Sequence, residues 1–227
     1  MDDNILRLEA VKRDFKRQSE IIHAVQGVDL NIKKGTFNIL CGRSGSGKTT
    51  LLNMIAAVDM PTSGKIFYKE KEITAMSSMQ RDELRRKEFG IIFQNTALIA
   101  QMSAVENVEF ALSIAGVKAS VRNQQAVKWL EKMGIKERRN HMPAEMSGGE
   151  QARVAIGRGL AHEPSLLLAD EPTSELDTAT SFRVIDMFKK LVKEQNLTII
   201  MTTHDVNIMD AADYIYTMED GVITDVR

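Results

Sequence analysis

The apolar positions of this chain change rhythm twice. Up to Gln94 they come in short strand-like runs, over 5–15, 24–32 and 36–41, with a turn at Lys34-Gly35. A helical stretch over 51–58 follows and closes at the turn signal Pro61-Thr62-Ser63-Gly64. Ile66-Phe67-Tyr68 reads as a strand, a charged helix is predicted over about 79–88, and Gly90-Ile91-Ile92-Phe93 is a further short strand. Beyond Gln94 the spacing turns helical, over 103–115 and 121–133, and no strand candidate returns before Leu166. Strand and helix then alternate: Leu166-Leu167-Leu168-Ala169, a helix over 179–194, and Thr198-Ile199-Ile200-Met201-Thr202. The pattern predicts an α/β core, 1–94 and 165–227, interrupted by a helical insert over 95–164.

Between the third strand and the helix behind it stands Gly42-Arg43-Ser44-Gly45-Ser46-Gly47-Lys48-Thr49, with Thr50 next. Glycines at both ends let backbone N–H groups turn inward around an anionic chain of phosphates. Lys48 adds a flexible charge for the β- and γ-phosphates, and the Thr49 hydroxyl can ligate Mg2+. A buried strand enters the loop and a helix leaves it with its positive end toward the phosphates, the context such a loop requires. These residues imply a bound nucleoside triphosphate.

The unbroken apolar run 166–169 reads as a central parallel strand covered on both faces. Asp170 and Glu171 close it at the C-terminal end, where open α/β sheets place their ligands. Asp170 is suited to hold Mg2+, directly or through water. Glu171, pointing elsewhere, could orient or deprotonate a water for in-line attack on a γ-phosphate. Met146-Ser147-Gly148-Gly149-Glu150 opens another apolar-periodic helix, through Arg153, Val154, Ile156 and Leu160. Two readings stand for it. Ser147 and Glu150 have the spacing of a capping box, and the two glycines permit close backbone approach to an anion.

Composition narrows the class. The 227 residues carry 30 Lys and Arg against 31 Asp and Glu, with no long basic run, so nothing favours nucleic acid as a partner. Arg81, Arg85, Arg86 and Lys87 alternate with Asp82, Glu83 and Glu88 as a solvated helix face would. Cys41 is the single cysteine, which excludes an internal disulfide, favours the cytoplasm and reads as a small buried hydrophobe. Trp129 reads as a core anchor, and the 13 methionines as core filler with a share in adaptable contact surface. His23, His141 and His162 lack metal-ligand spacing. No apolar stretch approaches the ~18 residues of a membrane span, and the acidic start Met1-Asp2-Asp3-Asn4 lacks the order of a signal peptide. A soluble chain that meets a membrane only through a partner is expected.

The phosphate loop, Gln94, Ser147-Gly148-Gly149-Glu150, Asp170-Glu171, Ser174-Glu175-Leu176-Asp177 and His204 follow one another in an order and spacing that resemble the ATPase domain of ABC (ATP-binding cassette) proteins over essentially the whole chain. The resemblance implies a P-loop NTPase fold with a mixed-sheet core, an N-terminal antiparallel β subdomain and an inserted helical subdomain. It implies ATP and Mg2+ as ligands and two copies paired head to tail. Each ATP then lies between one copy's phosphate loop and the other's Ser147-Gly148-Gly149. Residue by residue, Gln94 would contact Mg2+ and the attacking water, His204 would hold the γ-phosphate or that water, and Ser174 and Asp177 would line the dimer interface. Phe15 falls where the family places an aromatic that stacks on adenine, although tyrosine is commoner there, and a core role stays open for it.

Asp59-Met60-Pro61-Thr62-Ser63-Gly64, 84–90, 103–108 and 143–150 resemble the lipoprotein-releasing and macrolide-export branch. That implies a subunit on the cytoplasmic face of the membrane, docked through 95–102 on a transmembrane permease, with an extracytoplasmic adaptor as a further candidate partner. Departures are Glu150 for the usual glutamine, Ala152 for a long polar side chain, Ala56-Ala57 for a glycine-containing pair, Ala100 for proline, and the added charge of Glu175. Alternatives are a regulatory ATPase that switches on cell-wall hydrolases without transport, and a soluble ABC ATPase. The short stretch between Gln94 and Ser147 leaves the latter no room for a long coiled-coil insertion.

Overall fold

The computed structural model describes residues 3–17 and 20–227, so Met1 and Asp2 of the acidic start lie outside it. Its first layer is antiparallel. Strand β1 (Asn4–Arg17) pairs on one side with β2 (Glu20–Lys33) and on the other with β4 (Ser63–Tyr68), which carries the two-residue β5 (Lys71–Glu72) at its edge. Bulges in β1 around Ala10 interrupt the register with both neighbours.

The second layer is a mixed sheet. Its strands are β3 (Phe37–Cys41), β6 (Phe89–Ile92), β7 (Leu166–Asp170), β8 (Thr198–Thr202), β9 (Tyr214–Glu219) and β10 (Val222–Val226), in spatial order β10-β9-β3-β8-β7-β6. All pairs are parallel except β9 with β10. The run 166–169 is indeed an interior strand buried on both faces, and its alternation shows why every residue had to be apolar. Leu167 and Ala169 enter one core cluster, Leu166 and Leu168 the other.

One cluster lies between the two sheets, where α1 (Lys48–Ile55) contributes Leu51, Leu52, Met54 and Ile55. The other face is covered by α3 (Ala104–Ile114), α4 (Ala119–Lys132), α5 (Gly148–Leu160) and α6 (Thr178–Gln195), through Val108, Trp129, Ile156 and Phe188 among others. Trp129 is 2 % exposed, the core anchor expected of it. The charged α2 (Ser78–Glu88) buries little besides Leu84. The chain leaves the sheet after β6, runs through α3, α4 and α5, and returns at β7, the parallel neighbour of β6. No helix among the described residues is long and apolar enough to cross a membrane.

Three local differences from the sequence pattern have physical causes. The first helix runs Lys48–Ile55 rather than over 51–58, because the end of the phosphate loop is itself the first helical turn and Ala57 turns left-handed at φ 55°. Ser63 and Gly64 belong to β4; Gly64 fits because a β-carbon there would lie 2.4 Å from the Ala10 carbonyl. Finally, β9 and β10 lie beyond the last element the pattern names. Their connection, Asp220-Gly221, has positive φ at both residues, the turn an Asp-Gly pair favours.

Candidate nucleotide site

The phosphate loop leaves the C-terminal end of β3 and enters α1. Gly42 and Gly47 are required twice over. Both have positive φ, at 148° and 101°, and a β-carbon would meet the Met218 carbonyl at 2.1 Å in one case and the Ala24 carbonyl at 2.3 Å in the other. The loop is therefore clasped between β9 and β2. Lys48 is buried, and its Nζ donates to the carbonyls of Gly42 (2.8 Å) and Arg43 (2.9 Å), spanning the loop and leaving one ammonium N–H uncommitted. The Ser46 hydroxyl is buried without a hydrogen-bond partner.

Across the loop, Asp170 is 6 % exposed and held at both oxygens: Thr49 Oγ1 donates to Oδ2 (2.9 Å) and Thr202 Oγ1 to Oδ1 (2.6 Å). Glu171 has φ 47°, so its side chain leaves in a different direction from that of Asp170. Its Oε1 lies 3.3 Å from Nδ1 of His204, which is 71 % exposed.

A cavity of about 530 Å3 joins Ser44, Gly45, Gly47, Lys48, Thr49 and Thr50 to Gln94 and Glu171. Its other wall comes from β2 and the β9–β10 turn, namely Ile22, His23, Ala24, Gln26, Asp220 and Gly221. Sequence reading missed this wall. The Asp-Gly hairpin signal could have found its last two members; nothing local marks the β2 residues. His23, without metal spacing, is paired through Nδ1 with Asp14 (2.7 Å). A second cavity, of about 380 Å3, shares Glu171 and includes Ser174 and His204.

Phe15 is 38 % exposed, so it is no core residue. The Arg13 guanidinium lies over its ring at 4.4 Å and is itself fixed by Asp59 at 2.8 and 2.9 Å. Phe15 does not line the larger cavity, but its cross-strand partner Ile22 does, which puts the ring at the rim.

The Ser147 to Glu150 segment stands apart from this cavity. Its capping box is formed: Ser147 N–H donates to Glu150 Oε2 (2.9 Å) and Glu150 N–H to Ser147 Oγ (3.3 Å). The Ser147 backbone N–H, with Arg138 nearby, holds the Glu150 carboxyl below the usual carboxylate range. Glu175 lies beside both glycines, its carboxylate 3.2 Å from where a Gly148 β-carbon would sit. Asp177 caps α6 through Thr180 N–H (3.0 Å), and bonds from the Thr180 hydroxyl and N–H lower its carboxyl.

The ABC transporter family pattern matches residues 25–174, taking in the phosphate loop, Gln94, the glycine pair and the two carboxylates. The chain belongs to the ABC transporter family. As an ABC ATPase it resembles the Legionella pneumophila (strain Paris) lipoprotein-releasing system ATP-binding protein LolD, with 37 % identity over 97 % of each chain. It is 40 % identical over 222 residues to the macrolide export ATP-binding/permease protein MacB of Syntrophobacter fumaroxidans, but spans only 31 % of that longer protein. Among solved structures, the dimeric cassette MJ0796 in a post-hydrolysis state with ADP and Pi superposes with a TM-score of 0.95, at 35 % identity and covering 98 % of this chain and 97 % of that one. The ABC ATPase fold and the lipoprotein-releasing/macrolide-export branch read from the sequence both stand.

Proposed function

We propose that this ABC ATPase binds ATP with Mg2+ between two head-to-tail copies and transmits their closure to a transmembrane permease that exports or extrudes a lipoprotein, drug or peptide. The observation that carries the reading is a separation. The phosphate loop, Gln94 and Glu171 line one cavity, while the Ser147-Gly148-Gly149 helix end lies outside it in the same chain. A second copy would bring its own helix end to the γ-phosphate, where backbone N–H groups and the helix dipole favour an anion.

The residues present suit the metal. Thr49, Gln94 and Asp170 offer hydroxyl, carbonyl and carboxylate oxygens, the hard donors magnesium takes. When bound, Mg2+ neutralises phosphate charge during in-line transfer. Lys48 would exchange its loop carbonyls for β- and γ-phosphate oxygens. Glu171 would accept a proton from, or orient, the attacking water, with His204 on the γ-phosphate side and Phe15 stacked on adenine. Ser174 and Asp177 would face the partner copy.

For the permease, the segment 95–102 borders an apolar groove of about 360 Å3 that includes Ala97, Ile99, Phe110 and Ile114. Phe110 and Ile114 are 43 % and 47 % exposed. Arg158 pins the segment by donating to the carbonyls of Thr96 (2.8 Å) and Ala97 (2.6 Å). We place the insert over 95–164, the whole chain at the cytoplasmic membrane face, and an adaptor beyond the permease. In the test, Glu171→Gln should accumulate as an ATP-bound dimer by light scattering and capture the permease from native membranes. Lys48→Ala should do neither. A Glu171→Gln chain that stays monomeric with ATP and permease present would refute the shared site. Cell-wall hydrolases with a division-type membrane protein in the capture would replace export by regulation.

A further inference from the structure

Thr202 ends β8, fully buried, and pairs in parallel register with Asp170 of β7 and Leu40 of β3. Its one hydroxyl makes two contacts at the heart of the site. Oγ1 lies 2.6 Å from Asp170 Oδ1 and 2.9 Å from the Glu171 backbone nitrogen. The direction of both bonds follows from what each group can do. An ionised carboxylate only accepts and a backbone N–H only donates, so the hydroxyl gives its proton to Asp170 and receives that of Glu171.

We propose that Thr202 is a positioning residue for hydrolysis, a single hydroxyl that sets the Asp170 carboxylate and the Glu171 peptide in one fixed relation. The inference rests on the roles given above to Asp170 and Glu171. Two features make the tie consequential. Asp170 is clamped from both sides, Thr49 at Oδ2 and Thr202 at Oδ1, so its free lone pairs keep one direction. Glu171 sits at φ 47°, a conformation a β-carbon disfavours and which surrounding contacts must hold. The bond to Thr202 restrains the peptide N–H of that same residue. Asp170, which would hold the metal, and Glu171, which would address the water, are therefore tied through one hydroxyl.

Thr202→Val keeps the shape and removes the hydroxyl. Steady-state ATPase assays should show kcat lowered about 10- to 100-fold, the size of effect a small misplacement of reacting groups produces, with KM for ATP changed less than about threefold. The Mg2+ concentration for half-maximal rate should rise. Thr202→Ser, which restores the hydroxyl, should return kcat to within about threefold of the parent. If Thr202→Val does not fold by circular dichroism, Thr202→Cys takes its place, since a thiol is a weak donor of similar size. A folded Val or Cys variant with parental kcat and Mg2+ dependence overturns the proposal, as does a Ser variant no better than Val. Glu171→Gln is assayed alongside. If it turns over normally, the reading of the site itself has failed; if it is inactive while Thr202→Val is not, only the role of Thr202 has.

Discussion

At the scale of single residues, backbone sign decides more than side-chain identity. Lys69 and Glu70 both have positive φ, at 46° and 65°, in the tight turn joining β4 to β5. Lys69 has ties to Glu88 (2.7 Å) and Ser165 (3.2 Å) that justify its place, whereas Glu70 is exposed. Glu70→Gly should therefore stabilise the fold by ~0.5–1 kcal/mol, since glycine accepts the left-handed region without the β-carbon penalty. A thermal melt should show a rise of about 1–4 °C, and no rise would mean that the turn relaxes at no cost. Glu171 has the same backbone sign in a different setting, where the residue lines the cavity that the phosphate loop also lines. The residues that the fold brings to one cavity, the phosphate loop, Gln94 and Glu171, stood out in the sequence because a phosphate cradle needs glycines and a hard metal ion takes oxygens. Their conformations did not: nothing in Asp170-Glu171 announces a φ of 47°.

At the scale of elements, strands and helices with strong periodicity were read correctly, and what escaped was set by distant partners. The β2 wall of the nucleotide cavity exists because β2 passes over the phosphate loop, a tertiary fact that no short window contains. The β9–β10 hairpin was within reach of pattern reading through Asp220-Gly221. Its strands are short, and their value lies in contact: Gly221 N–H donates to Ser46 O (3.0 Å), and Gly221 O accepts from Gln26 N–H (2.8 Å). Gly221 thus links the hairpin, the phosphate loop and β2. Gly221→Ala should cost about 1–2 kcal/mol from its φ of 82° alone. A β-carbon 3.0 Å from the Ala24 carbonyl adds strain beside the cavity. Both a lower melting temperature and weaker ATP binding by calorimetry are expected; a stability loss with unchanged affinity would separate the hairpin from the site.

At the scale of the whole molecule, two layers share one core, and burial there shows in titration. Burial pushes the Tyr68 phenol well above its ordinary value of 10.0, with Glu88 beside it adding to the shift. Burial likewise pushes Tyr216 up to about 12, with Tyr214 assisting. A raised folded-state value means that the fold favours the protonated ring. The associated stability is fully present below pH 10 and is lost as pH rises from there toward and beyond 12. An alkaline titration followed at 295 nm should show these two of the chain's three tyrosines ionising late and together with loss of circular dichroism. Ionisation of both near pH 10 with the fold intact would contradict the packing between the sheets.

Cys41 ends β3 at 6 % exposure, the only thiol in the chain. A thiol buried this far is out of reach of reagents in solvent, so maleimide dyes and spin labels find no background target on the native fold. Any cysteine placed on the surface becomes the sole reporter. A label at Gln195→Cys, exposed at the end of α6 remote from Asp177, would let distances between two copies, with and without ATP, be measured without touching the proposed interface.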